Sequence, residues 1–284
     1  MEAEIPFVLY LLFGELGAGS FWTAVIAEYR GVRSEISRRC CITAFILMIL
    51  AGISVVMHLT HPEHGIYGLS NLGTSWLSRD TLLILLLGLL TLIYILQSKF
   101  GLPGRTPVGF IGALVGLVFV ISTGMAHVLP ARPAWNTFLI PLMDVVSAAV
   151  LGTFVFATFS TGRDLPEQSF RNLCKAAGIA LIVQIIVEAG YLGYLSGVPE
   201  VSLAELIYGG LGPFFWMRVI LGFVVPLIFV GVYLTKGEGA ISRKTLAITC
   251  LLYVVAGALI DISLVHLISE PVTLFRPEEI LGGV

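Results

Sequence analysis

Charge is what this sequence lacks most. Its 284 residues include 16 Lys and Arg and 18 Asp and Glu, so that 12% are charged and the formal net charge is −2. A soluble domain carries about 25% charged residues. A mean hydropathy of +0.97 therefore excludes a water-soluble fold. The net charge by itself says nothing about nucleic acid, and no nucleic-acid partner is expected. Cysteine is scarce, with four residues. Cys40, Cys41, Cys174 and Cys250 form no Cys-x-x-Cys cluster, which excludes an iron–sulfur centre held by this chain. We expect them reduced and buried. Internal repeats and low-complexity tracts are also missing, so nothing marks the two halves of an inverted-repeat transporter.

What the chain has instead is apolar sequence. Hydrophobic residues make up 57% of it, enough for about eight spans of roughly 20 residues with almost nothing left for an extramembrane domain. The expected fold is an all-α integral membrane protein, a single eight-helix transmembrane domain over residues 1–284. The spans are placed at Phe7 to Glu28, Cys40 to Thr60, Asp80 to Gln97, Pro107 to His127, Trp135 to Ser160, Leu173 to Leu195, Pro213 to Thr235 and Thr245 to His266. Glu2 and Glu4 precede the first run with no Lys or Arg, so it is expected to be a retained helix rather than a signal peptide. Gly112-x-x-x-Gly116 reads as a packing motif that lets helices approach closely.

Basic residues set the orientation. Loops one, three, five and seven hold Arg30, Arg33, Arg38, Arg39, Lys99, Arg105, Arg163, Arg171, Lys175, Lys236, Arg243 and Lys244, whereas the opposite side has only Arg79, Arg132 and Arg276. By the positive-inside rule, both termini and the longer segments His61 to Arg79, Ser196 to Gly212 and Leu267 to Val284 face outward. The expected setting is a bacterial inner (plasma) membrane, crossed many times.

Ionisable residues inside a bilayer are costly and usually functional. At about 1.5 Å of rise per residue, Glu15 lies roughly 12 Å from the outer face, Asp144 roughly 14 Å, Glu188 roughly 10 Å, and Arg218 and Asp261 roughly 8 Å. Asp80, His58, His127 and His266 fall at outer helix ends, and His61 and His64 follow in the outer loop. The inner half has only Glu28, at its boundary. The bland account of the cluster is a set of buried ion pairs, such as Arg218 with Glu188 or Asp261, that hold helices together. The functional account is an outward-opening site for a lipid-soluble molecule that loses protons to water. Quinol fits: its oxidation needs an acceptor for each hydroxyl, typically an imidazole and a carboxylate near the aqueous face. His58 and Asp80 could supply them. Two metal readings rank lower. His58-x-x-His61-x-x-His64 crosses Pro62 and lacks a further ligand. One outer haem between His58 and His127 would lack an inner partner pair. No metal site is expected.

The run His58-Leu59-Thr60-His61-Pro62, followed by Asn71-Leu72-Gly73-Thr74-Ser75-Trp76-Leu77-Ser78-Arg79-Asp80, resembles the same segment of dimethyl sulfoxide reductase membrane anchor subunits. There a His-Leu-Gly-x-Pro stretch ends the second helix and a Ser-x-Glu stretch opens the third. Phe13-Gly14-Glu15-Leu16-Gly17-Ala18-Gly19 is similar to the family's first-helix pattern, and Trp216-Met217-Arg218-Val219 resembles its Trp-Arg stretch. Here Asp80 stands for Glu and Thr60 for Gly. Ala256 to Asp261 lacks the family's Glu and Arg, leaving Asp261 and His266 as candidate substitutes.

The resemblance implies a subunit that oxidises menaquinol to menaquinone, with His58 and Asp80 as the reacting pair and no covalent cofactor. It also implies partners: a four-cluster iron–sulfur subunit and a molybdopterin catalytic subunit, in anaerobic respiration. Glu15, Arg218, His61, Asp144, Glu188, His127 and Asp261 are expected around the quinol, with Arg218, near Asp144 and Glu188, tuning the pKa values of these groups and steadying negative charge on the quinol. The outer segments His61 to Arg79 and Ser196 to Gly212 are expected to dock the iron–sulfur subunit. No proton uptake from the inner side is expected. A polysulfide reductase-like quinone subunit is the nearest alternative. A secondary transporter with an outward polar cavity is a further one, and would need a route inward through discontinuous helices.

Overall fold

A computed structural model describes residues 5–58, 69–162 and 165–268. Among them, eight helices are long and apolar enough to cross a membrane. Six are single elements: α1 (Ile5–Tyr29), α2 (Ser34–His58), α3 (Trp76–Phe100), α4 (Arg105–His127), α5 (Leu139–Phe159) and α6 (Glu167–Leu195). A short helix, α7 (Leu203–Tyr208), lies in the connection to the seventh span. That span consists of α8 (Gly212–Val219), a π-helical turn at Ile220–Val224, and α9 (Val225–Lys236). The eighth is α10 (Arg243–Leu267).

The helices overrun the hydropathic edges because polar residues extend them past the hydrocarbon. Helix α2 starts at Ser34 rather than Cys40, with Glu35 and Arg39 paired one turn apart at 2.6 Å. Helix α5 instead starts late, at Leu139. Pro133–Trp135 forms a 3₁₀ turn before it, and the Trp135 indole donates to the Val265 carbonyl at 2.8 Å. In the seventh span Pro226 has no N–H to give and its ring would collide with the Gly222 carbonyl one turn back. The π turn immediately before it relieves that conflict; the Val225 N–H bonds to the Ile220 carbonyl, five residues back.

Helices α1 and α5 form the centre. Helix α1 packs on α2, α4, α5 and α10, and α5 on α1, α4, α6 and α10. The α1–α5 crossing is backbone on backbone. A Cβ added at Gly19 would lie 1.8 Å from the Ala148 carbonyl oxygen, and one at Gly152 would lie 2.0 Å from the Gly19 carbonyl carbon. Gly112 and Gly116 act differently, admitting the rings of Phe21 and Trp22. Gly152→Ala is therefore expected to force α1 and α5 apart at a cost of about 1–3 kcal/mol. The readout is a lower thermal midpoint in mild detergent; an unchanged midpoint would contradict this crossing. Outward-facing Leu85, Leu89, Phe110, Ile179 and Ile186 present aliphatic and aromatic surface suited to lipid.

Helix ends sort into two sets. At the basic end, Glu28 accepts a hydrogen bond from the Tyr94 hydroxyl at 2.6 Å and pairs with Arg105, tying α1 to α3 and α4. Arg38 reaches the Ser98 carbonyl, and Arg243 the Leu165 carbonyl, at 3.4 and 2.7 Å. At the other end the histidines meet. The four cysteines are free and buried, as their apolar surroundings lead one to expect.

Candidate functional site

The first turns of α1 build the histidine end. Phe7, Leu11 and Glu15 repeat every four residues and so share one face. The Phe7 ring packs against three imidazoles: His58 at 5.0 Å between centroids, and His127 and His266 at 5.6 Å each. His127 and His266 are 5.4 Å apart, and Trp135 meets both edge-on at 5.1 and 5.2 Å. The Arg132 guanidinium lies 4.4 Å above the indole. Helices α1, α2, α4 and α10 thus meet on one aromatic contact. His58 and His127 pack on the same ring instead of facing each other across a gap shaped for a haem.

Both inner imidazoles have their tautomer set by the backbone. His127 Nδ1 lies 2.9 Å from the Thr123 carbonyl, and His266 Nδ1 lies 2.7 Å from the Ile262 carbonyl. A carbonyl oxygen only accepts, so each Nδ1 carries the donating proton and Nε2 of the neutral ring presents a lone pair. His127 is 5% exposed, and its Nε2 has no hydrogen-bond partner among the described residues.

Beneath the rings lies a cavity of ≈ 30 Å³, lined by His127, His266, Glu15, Asp144, Ser147 and Asp261 among others. It has room for about two waters. The Ser147 hydroxyl donates to Glu15 Oε2 at 2.5 Å. A neighbouring cavity of ≈ 40 Å³ shares Asp261 and adds Glu188, Tyr191 and Arg218. Arg218, 3% exposed, pairs with Glu188 through Nη2 and with Asp261 at 3.4 Å through Nε. The glycines around it make its seat. A Cβ on Gly222 would lie 1.8 Å from Arg218 Nη1, and one on Gly257 would lie 2.6 Å from the Gly222 Cα. The guanidinium also lies 4.3 Å from the Phe223 ring centre.

Asp80 is brought in by the entry to α3. Ser75 caps that helix, accepting from the Ser78 N–H at 3.3 Å. Arg79 turns back to the Leu72 and Gly73 carbonyls at 3.0 and 2.7 Å, with its guanidinium over Trp76. Arg79 fastens the segment, while Asp80 points inward and is 2% exposed. Tyr10 and Asp144 lie within electrostatic reach of it, and Ser122 beside it. Asp80 Oδ1 is buried with no hydrogen-bond partner among the described residues. His58 ends α2 exposed, its ring on Phe7.

Sequence reasoning singled out Glu15, Asp144, Asp261 and His127, and these line one cavity; Arg218 and Glu188 meet next to it. Asp144 sits with Glu15 and Asp261 rather than with Arg218. His61 lies outside the described residues, as does His64. Phe7, Tyr10, Trp135 and Ser147 were not singled out. Three of them are aromatic residues in apolar or loop sequence, and only Ser147, three residues after Asp144, carried a helical-spacing signal.

Eight spans around a half-buried cluster of acids, histidines and one arginine define a multi-pass membrane protein with an intramembrane ionisable site. A comparison with protein-family models matches residues 1–267 to the DMSO reductase anchor subunit (DmsC). The chain belongs to that family, and is the membrane anchor of a DMSO reductase complex with other subunits. No curated protein matches it.

Proposed function

We propose that this anchor oxidises menaquinol at the histidine end, on the outer side of a bacterial plasma membrane. It would pass the electrons to a four-cluster iron–sulfur subunit and on to a molybdopterin catalytic subunit. The observation that carries the reading is Asp80 Oδ1, a buried acceptor with no hydrogen-bond partner among the described residues, although Ser122 lies beside the carboxylate. Burying a carboxylate oxygen without a partner is costly, and a hydroxyl of the substrate is the donor that removes that cost. His58 supplies the second acceptor from the rim, with Phe7 and Tyr10 as the ring surface between them.

Each hydroxyl proton goes to one acceptor and then outward. Two electrons leave to the partner subunit as two C–O bonds become C=O. Neither His58 nor Asp80 lines the ≈ 30 Å³ cavity, which is itself too small for a quinol ring, so quinol binding between them requires side chains to give way, and Phe7, which touches three histidines, is the first candidate. His127 Nε2 faces the same interior and is a next acceptor for the proton that Asp80 takes.

His58→Leu is expected to abolish quinol-dependent turnover of the assembled complex and leave viologen-driven reduction of the acceptor intact. Equal loss of both activities would mean that the variant disrupts assembly. Unchanged quinol oxidation would remove His58 from the reaction.

A further inference from the structure

A second cavity of a different kind lies at the basic end. It measures ≈ 230 Å³ and is bounded by α1, α5 and α6. Its origin is topological. Helices α1 and α6 both pack on α5 but scarcely on each other, so a wedge opens beyond the tight Gly19–Gly152 crossing. Every α1 and α5 residue that lines it, from Thr23 to Ala27 and from Thr153 to Phe156, follows that crossing in sequence, and Arg30 stands just past the end of α1.

The wedge is amphipathic. Ile26, Ala27, Phe156, Leu173 and Ala176 form an apolar wall, and Arg30, Ser169 and Asn172 mark the rim. No carboxylate or imidazole lines it among the described residues, which sets it apart from the histidine end. Arg30 is exposed and makes no ion pair among the described residues. Asn172 Oδ1 accepts from Gln168 Nε2 at 3.1 Å, which leaves the Asn172 amide nitrogen as a donor. Among the described residues the cavity therefore offers Arg30, a cation without an ion pair, and neutral donors above a greasy wall, at the end where basic loops collect. That end faces the anionic leaflet under the positive-inside rule.

We propose that this wedge binds the headgroup of an anionic bilayer phospholipid. The phosphodiester pairs with Arg30 and takes hydrogen bonds from Ser169 and Asn172, and the first acyl carbons lie along Ile26, Phe156, Leu173 and Ala176. The lipid fills a gap between two helices that scarcely pack on each other. The inference does not depend on what the histidine end does.

The test uses the intact complex purified from its native membrane in mild detergent, washed extensively, with the retained phospholipid extracted and quantified by mass spectrometry. Wild type is expected to retain anionic phospholipid in preference to zwitterionic. Arg30→Gln should retain about fivefold less, the factor that one basic residue at an anionic leaflet supplies. Ala176→Phe, which keeps every charge and fills the wall, should lose it too. Lys236→Gln removes a charge from the same end outside the wedge, and should retain the wild-type amount. Retention unchanged in both Arg30→Gln and Ala176→Phe would overturn the site. So would equal loss in Lys236→Gln, which would indicate general charge attraction, or displacement of the lipid by millimolar inorganic phosphate, which would indicate a site for the free ion.

Discussion

Asp80→Asn is expected to lower quinol-dependent turnover of the assembled complex by about 10²- to 10⁴-fold, the range for loss of a positioned general base. Viologen-driven reduction should be unchanged. The amide keeps the size of the carboxylate and its ability to accept, but it cannot take up a proton at neutral pH. Because the side chain is buried, Oδ1 has no hydrogen-bond partner among the described residues, and the amide oxygen can still accept from Ser122, the substitution keeps the packing of the site. A loss confined to quinol is then a loss of chemistry. Asp80→Glu provides the counterpart: it restores a carboxylate one methylene longer, and should recover most of the rate. Steady-state rates with a menaquinol analogue and with reduced viologen decide the matter. If the Asn variant oxidises quinol at the wild-type rate, Asp80 is not the base and the site lies elsewhere.

Arg218→Gln is expected to cost up to about 3 kcal/mol of stability, because it leaves two half-buried carboxylates, Glu188 and Asp261, without their cation. The pairing geometry makes the effect specific. Both acids reach the same guanidinium, and that guanidinium fits only because Gly222 and Gly257 have no side chains. The triple variant Arg218→Gln, Glu188→Gln, Asp261→Asn removes the stranded charges along with the cation. It should regain most of the loss. Thermal unfolding in detergent reads both. A single variant as stable as wild type would show that the cluster is hydrated well enough to need no partner.

The spans were legible because length and apolarity are all that a bilayer demands, and the run from Pro107 to His127 differs from α4 by two residues at one end. The ends were less legible where the helix and the hydrocarbon stop at different places. Hydropathy fades at Cys40 and Leu173, yet Glu35, Arg38, Arg39, Gln168 and Arg171 are good helix residues that continue into the interface. Trp135 was read as the start of a span for the opposite reason. An indole is apolar enough to count as membrane sequence, although its N–H is committed to α10.

At the site, Arg218 with Glu188 and Asp261 could be anticipated, since charges at matching depth must find one another. The role of Phe7 could not. A phenylalanine in an apolar helix looks like any other until three other helices bring imidazoles to its ring. The π turn was hidden as well: Pro226 announces a disturbed helix, but not whether a kink, a break or an added residue per turn will absorb it.

The confinement of the ionisable chain to one half of the bundle has an electrical consequence. Moving a unit charge across a whole membrane against 100 mV takes about 2.3 kcal/mol. From Glu15, the α1 carboxylate of the cluster, to the histidine rings is only two helical turns, and Asp80 is itself in the first turns of α3, whereas Glu28 sits at the opposite, basic end of α1 paired with Arg105. On the proposed function, a proton released there falls through well under half of the field. Interior side chains toward the basic end, such as Ser20, Thr91 and Cys40, supply no carrier for the remainder. The anchor would run at nearly the same rate in an energised cell as in a de-energised one.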